Sequence, residues 1–269
     1  MTNNELNRQA RITIRIDGYA LAFSAVAPQT EQGVVYSPYT VKSNMSIAAN
    51  LRQALKEADL PNDAEWKRAH VMLGTPVMLV PIEEFQREQA PLLYQHTITG
   101  VEGHTIISNV IPPLNAVAVY SIHKDLRTVI EDHFEDVKYN HLCIPVWNNL
   151  HRRSFTGQRR KLYGYFHGRQ LEVFAFQQNR FRFSNSYQVP RMKDAVYFLL
   201  YVWKQLGMDQ MKDELHLVGN IPYREELMTE LHQYVQNAFV INPTAEFNRA
   251  PVTQVKDMPY DLMAFYLKN

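Results

Sequence analysis

Residues 11–26 read RITIRIDGYALAFSAV. Ile12, Ile14 and Ile16 alternate with Thr13 and Arg15, the period-two pattern of a strand whose two faces differ. Asp17-Gly18 then supplies a two-residue turn, because a tight hairpin needs central residues that accept positive φ. Leu21 and Phe23 carry the alternation back along a return strand. A second stretch repeats the design. Leu162 to Tyr165 and Leu171 to Phe176 flank His167-Gly168-Arg169.

Working outward from the first hairpin, Val34 to Val41 reads as a third strand. A helix follows, with Ile47, Leu51, Ala54 and Leu55 at helical spacing, started by Ser43 or Asn44 and stopped before Pro61. Ala69 to Leu73 and Val77 to Val80 are short strands split by Gly74-Thr75-Pro76. Ile82 to Ala90 is expected to be a helix and His104 to Ile111 a strand ended by Pro112-Pro113. The apolar run Ala116 to Ser121 suits a strand buried on both faces. A helix from His123 to Phe134 and a strand from Tyr139 to Trp147 complete this half. The polar, basic segment His151 to Arg160 is the best linker.

Beyond the second hairpin come a strand at Phe181 to Tyr187 and an apolar helix at Met192 to Leu206, ended by Gly207. Leu215 to Val218 is a strand closed by Gly219-Asn220. Glu225 to Val235 is a helix, Phe239 to Ile241 a strand and Asp261 to Leu267 a last helix. Both halves therefore read hairpin, third strand, helix, strand, helix, strand. The expectation is an α/β chain of two related halves, 1–150 and 151–269, with an extra piece at about 66–111 inserted in the first. A cleft between two such copies is a usual place for a ligand.

The bulk composition agrees with a packed protein. Hydrophobic residues make up 46% of the 269 and charged residues 20%, unlike a disordered chain. The single cysteine, Cys143, cannot form an internal disulfide, which fits a reducing compartment. It lies between Leu142 and Ile144 and is expected to pack. Met1 to Ala10 lacks the apolar core of a secretory leader. The longest apolar run, Ala195 to Trp203, is about half the roughly 18–20 residues of a membrane span. The cytoplasm is the expected location. Net charge is +1, yet 151–193 holds ten basic residues and one acid, Glu172. Such asymmetry marks either an anionic partner or docking of one half on the other.

The order of elements, the two hairpins, the strand and helix Val117 to Phe134 and the segment Leu215 to Asn220 resemble the actin-like ATPase superfamily. Across nearly its full length the chain is similar to an uncharacterised bacterial family, a domain of unknown function assigned to that fold. The insertion resembles the small extra subdomain of the division and pilus-assembly branch. The resemblance implies two ribonuclease-H-like halves and, where chemistry is retained, ATP with magnesium. In that superfamily two glycine-bearing hairpins approach the phosphates, each normally with an Asp that organises Mg²⁺ and water, and a glycine-rich turn holds the adenosine. Carried over residue by residue, the nucleotide positions are Asp17, Gly18, Gly168, Gly219 and Asn220. The first hairpin has Tyr19 where a small hydroxyl residue is usual. The second has Phe166-His167-Gly168 and no Asp. One glycine of the usual pair remains in Leu217-Val218-Gly219-Asn220. Magnesium chemistry needs carboxylates on both sides of the phosphate, so loss of catalysis is the expectation, and no catalytic residue is assigned.

Each of these residues also has a plain structural reading. Asp17-Gly18 makes a turn, and Gly219-Asn220 ends a strand. His167 and Arg169 sit in a solvated turn. Arg159, Arg160, Arg169, Arg180 and Arg182 are the candidates for an anion or partner. Arginine interleaved with Tyr163, Tyr165, Phe181 and Phe183 suits nucleic acid, while Arg180-Phe181-Arg182-Phe183 is also the alternation of any half-buried strand. The histidines show no metal spacing, and no nucleophile elbow, Walker loop or dinucleotide fingerprint occurs. Three readings stay open: a degenerate, non-catalytic binding or assembly module with an unknown protein partner; a nucleotide-dependent enzyme with displaced ligands; and a nucleic-acid-binding protein using 152–193.

Overall fold

The computed structural model of the protein describes residues 11–18, 20–57 and 66–267. The readings above for Met1–Ala10, Tyr19 and the helix stop at Pro61 fall outside those residues. The chain forms two compact units. One takes the chain up to Ile111, Val117–Ile144 and Pro251–Met258. The other takes Pro112–Ala116, Pro145–Ala250 and the chain from Pro259.

In the first unit β1 (Ile12–Asp17) and β2 (Ala20–Val26) form the hairpin, with Ile14 opposite Phe23 and Asp17 opposite Ala20. Asp17 is thus the last residue of the strand, not a turn residue. The alternation begun at Ile12 continues through it, and Gly18 takes up the left-handed φ of +52°. β3 (Val34–Tyr39) pairs with β2. α1 (Ile47–Glu57) starts later than expected, at a cap formed by Ser46, whose Oγ accepts from the Ala49 N–H at 3.2 Å. Buried Asn50 explains the delay. It accepts from the Lys42 N–H and donates to the carbonyls of Lys42, Met45 and Ser46, which pins the preceding loop.

β4 (Arg68–Leu73) is followed by β5 (Val77–Pro81), α2 (Ala90–Thr97), β6 (His104–Ile111), β7 (Ala116–His123), α3 (Lys124–His133), β8 (Asp136–His141) and α4 (Cys143–Ser154). The helix expected over 82–90 is only a 3-10 turn at Ile82–Glu84, and the helix proper begins at Ala90. Pro91 explains this, because proline is tolerated in a first turn and not in a helix interior. The strand expected to reach Trp147 stops at His141. Cys143, Val146, Trp147 and Leu150 are all buried at helical spacing, so this stretch is a helix, and 151–154 belongs to it rather than to a linker.

The main sheet of this unit runs β3-β2-β1-β4-β8, with β1, β4 and β8 mutually parallel. A separate sheet runs β5-β7-β6. The piece outside the main sheet therefore extends from β5 to β7, not from Trp66 to Ile111. Ala69, Val71 and Leu73 alternate onto the main core, whereas β7 is buried from Ala116 to Ile122, as the middle strand of the small sheet must be. The main core packs Ile12, Ile14, Phe23, Leu51, Val71 and Ile130. The small one gathers Tyr94, Val117 and Val119.

The second unit repeats this order. β9 (Lys161–His167), β10 (Gln170–Gln177), β11 (Arg180–Gln188), α5 (Met192–Gln205), β12 (Glu214–Gly219), α6 (Arg224–Leu231) and β13 (Ala238–Val240) form a sheet ordered β11-β10-β9-β12-β13 with its helices. α7 (Pro243–Glu246) and α8 (Tyr260–Tyr266) follow. The helix expected to reach Val235 stops at Leu231. Leu162, Phe166, Val173, Leu199, Leu217 and Leu231 build the core between sheet and helices.

In both units the first strand lies parallel to the fourth, and the seam between them closes at its carboxyl end. The Gly74 N–H donates to the Ile16 carbonyl at 2.8 Å, and the Asn220 N–H to the Phe166 carbonyl at 3.0 Å. A Cβ on Gly219, where φ is +97°, would stand 2.1 Å from the Phe166 carbonyl oxygen. Gly219→Ala is therefore expected to destabilise the fold by about 3 kcal/mol or more, since both backbone strain and overlap are fixed by main chain. Gly18→Ala faces open space and should cost only about 1 kcal/mol, from φ alone. Urea unfolding of the two variants beside the wild type checks the ranking.

Candidate functional site

The hairpin of the first unit holds one carboxylate, Asp17, on the face of β1 opposite the apolar core. Thr13 and Arg15 share that face, and all three are buried. Arg15 donates to Asp17 Oδ2 at 3.0 Å, and each side chain is about one-twentieth exposed. A Cβ on Gly74 would stand 2.7 Å from Asp17 Oδ1 and 2.4 Å from Leu142. Asp17 is thus held between a guanidinium and the backbone of the neighbouring strand end. Arg15, the residue that defines its chemistry, reads in sequence only as the polar half of an alternating strand.

The second unit places His167 where the first has Asp17. His167 ends β9 opposite Gln170, and Gly168 takes φ +54°. His167 is buried, stacks on Tyr165 at 5.1 Å, and its Nε2 lies 3.3 Å from Glu172 Oε1. Ser186 donates to the same carboxylate oxygen at 2.8 Å. On the same face the Tyr165 hydroxyl donates to Asp261 Oδ2 at 2.5 Å, and Asp261 is fully buried. Among the described residues the buried carboxylates of this unit are Glu172, Asp213 and Asp261, none of them in the hairpin turn. Glu172 reads in sequence as a lone acid in a basic stretch. Asp261 reads as the first residue of a late helix, so nothing local marks either. Gly219 and Asn220 sit at the closed end of the β9–β12 seam, beside Phe166.

The basic candidates separate in space. Arg159 lies 3.7 Å from Glu214, and Arg160 binds Asp213 at 2.5 Å. Arg160 also donates to the Gly207 carbonyl at 2.9 Å, and Arg182 to the Leu206 carbonyl at 3.3 Å, both at the end of α5. Arg180 starts β11, and Arg169 lies in the hairpin turn at the other end of the sheet. Arg153 pairs with Glu246, Arg191 with Asp194 and Lys193 with Glu230. In the first unit a groove of about 450 Å³ is lined by Arg87, Pro91, Ile106, Ile107, Arg127 and Tyr139. Arg127 and the Tyr139 hydroxyl both donate to Glu131 beside it.

Burial sets the protonation of two histidines on these inner faces. His70, hydrogen-bonded to Asn140 at 2.7 Å, has its pKa lowered by desolvation, with Arg11 and Lys138 adding to the effect. His216 is lowered by desolvation as well, against the raising influence of Glu214. Both bind protons more weakly in the folded chain than in the unfolded one. Their contribution is present above the unfolded value of 6.5 and is lost as pH falls below it towards the folded pKa. Stability should therefore fall on acidification from about pH 7.5 to 5.5, by up to about 1.4 kcal/mol per pH unit for each such proton. His216→Gln should flatten the slope in urea titrations. Asp17→Asn, which removes one partner of a buried pair, should cost about 3 kcal/mol at neutral pH, read in the same titrations.

With this geometry in place, the likeness to known structures is direct. A Bacteroides thetaiotaomicron protein of actin-like ATPase fold and unknown function matches at a TM-score of 0.82 and 25% identity, covering 100% of this chain and 99% of that one. The PilM–PilN type IV pilus biogenesis complex matches at 0.59 and 13% identity, covering 89% and 90%. No curated protein matches the chain. Among the described residues no helix is long and apolar enough to cross a membrane. The fold is the actin-like ATPase fold, and, with residues 2–238 matching its family model, the chain belongs to the family described as protein of unknown function (DUF3822).

Proposed function

We propose that the protein is a non-catalytic binding or assembly module that keeps the actin-like fold and works through a protein partner in the cytoplasm. One observation carries this reading: the hairpin carboxylate of the first unit is engaged by Arg15, and a histidine stands at the matching place in the second. A magnesium ion that organises phosphate and water needs oxygen ligands on both hairpins. Asp17 would have to exchange a buried guanidinium for the ion, and His167 offers nitrogen, already beside Glu172. The PilM neighbour is a complex with PilN, which supports a protein as the partner.

The nucleotide-dependent reading rests on Glu172 and Asp261, the buried acids that displaced ligands would draw upon. Both already accept hydrogen bonds, from Ser186 and Tyr165 respectively. The nucleic-acid reading is weakened by the ion pairs of Arg153, Arg159, Arg160, Arg191 and Lys193, which cancel much of the charge of the basic stretch. The full chain is expected to show no magnesium-dependent ATP turnover above a protein-free blank, and calorimetry with ATP, ADP and GTP at millimolar ligand should show no heat of binding. Turnover that co-purifies with the folded protein and disappears in Asp17→Asn would overturn the proposal.

A further inference from the structure

Three cationic residues of the basic stretch, Arg160, Lys161 and Arg182, line one pocket. A pocket of about 190 Å³ opens where β9 begins and β10 and α5 end, at the opposite end of the sheet from Gly168 and Gly219. Arg160, Lys161 and Arg182 are among the residues that line it, together with Phe176, Leu206 and Met208. A β-bulge builds it. The β10–β11 register pairs Ala175 with Phe183 and then Phe176 with Phe181, so Arg182 is the extra residue, turned towards the last carbonyls of α5. Bulges of this kind re-aim a side chain out of the regular alternation.

The three charges differ in how they are met. Arg160 has Asp213. Lys161 is 8% exposed, and the oxygens it reaches are the carbonyl and hydroxyl of Thr156. Arg182 reaches the Leu206 carbonyl. Among the described residues neither Lys161 nor Arg182 has a carboxylate within ion-pair distance. Desolvation lowers the pKa of Lys161, and Arg153 adds to this, while Glu214 acts against it. A buried cation without a carboxylate is costly unless an anion meets it. An arginine fork beside it presents paired donors to a planar or tetrahedral acid group. A pocket of about 150 Å³ holds a benzene ring, so this one accepts a body of about that size.

We propose that this pocket is a binding site for a small organic anion, with one acidic head between Lys161 and Arg182 and a ring-sized apolar body against Phe176, Leu206 and Met208. The site is independent of the actin-like hairpins, and its failure would leave the reading of Asp17 and His167 untouched. Benzoate and phenyl phosphate are the probes, with benzamide as the neutral control and inorganic phosphate as the head without a body. Titration by NMR of the full-length protein should show saturable binding of at least one organic anion below about 10 mM, and weaker or no response to benzamide and phosphate. Which anion binds more tightly identifies the head group. Arg182→Gln, at an exposed position that donates to the Leu206 carbonyl, should fold normally and bind roughly tenfold more weakly. The same anion should slow reductive methylation of Lys161, followed by mass spectrometry on the wild type. Equal responses to benzoate and benzamide, binding unchanged in Arg182→Gln, or no saturable binding of either anion would each overturn the site.

Discussion

The parallel seam between the first and fourth strands is the constraint on which both units depend. It joins the hairpin to the strand that returns after the first helix, and it is stitched at its end by a backbone hydrogen bond, from Gly74 to Ile16 in one unit and from Asn220 to Phe166 in the other. For that bond to form, the chain leaving the fourth strand must pass within van der Waals reach of the first. Gly74 and Gly219 are the residues without a Cβ at those crossings. Once the seam is closed, the helix after the third strand can only lie across the face carrying Ile12, Ile14 and Ile16 in one unit and Leu162 and Phe166 in the other. The seam accounts for Gly219 in full. A glycine placed 2.1 Å from a carbonyl oxygen by its virtual Cβ is required by the backbone whether or not anything binds nearby.

The two copies share this frame and differ on the opposite face. In the first unit Thr13, Arg15 and Asp17 are buried there with Ser24. A buried ion pair of this kind adds little net stability, yet it is expensive to break, because the surviving charge is left desolvated. It therefore fixes what Asp17 can do more than how stable the unit is. In the second unit the same face is aromatic. Tyr163 stacks on Phe174 and on His216, while Trp147 from α4 meets Phe181 edge-on and His151 meets Phe176. Aromatic pairs bury large areas and prefer these offset and edge geometries. Within this packing Asp261 accepts from Tyr165, and Glu172 from Ser186.

Much of this frame is legible in the sequence, and the limits have physical causes. The hairpins, the third strands, β6 and the helix Met192–Gln205 show clean periods of two or 3.6, and each lies where that pattern puts it. The hairpin turn is misread by one residue, because Asp-Gly is a favoured turn pair and nothing local reports that Asp17 still faces Arg15. The insertion is misplaced because a short apolar strand does not say which sheet it joins. Ala69–Leu73 and Ala116–Ser121 look alike until pairing assigns one to the main sheet and the other to the small one. Tyr139–Trp147 is split because β8 ends at His141 and α4 begins at Cys143, with Leu142 alone between them and no turn residue to mark the change of period. The site is less legible than the fold. His167 and Glu172 meet through cross-strand register, and Tyr165 and Asp261 through packing of a helix distant in sequence.

The charge of the second half shows the same limit most sharply. As a sequence, ten cations against one acid in 151–193 read as a continuous basic surface. Folding brings Asp213, Glu214, Glu230 and Glu246 from outside that stretch onto its arginines and lysines. The charges that remain without a carboxylate are therefore selected by tertiary structure and not by local density. Lys161 is one because it begins a central strand, where burial keeps water away and the oxygens within reach are neutral. Arg182 is another because a bulge removes it from the alternation and aims it at helix carbonyls instead of an acid. A helix end attracts cations through its exposed carbonyl dipoles, and this gathers Arg160 and Arg182 beside Lys161 with one carboxylate, Asp213, to balance three charges. Of the excess that the sequence spreads over more than forty residues, the part carried by Lys161 and Arg182 meets at one pocket with a partly apolar lining.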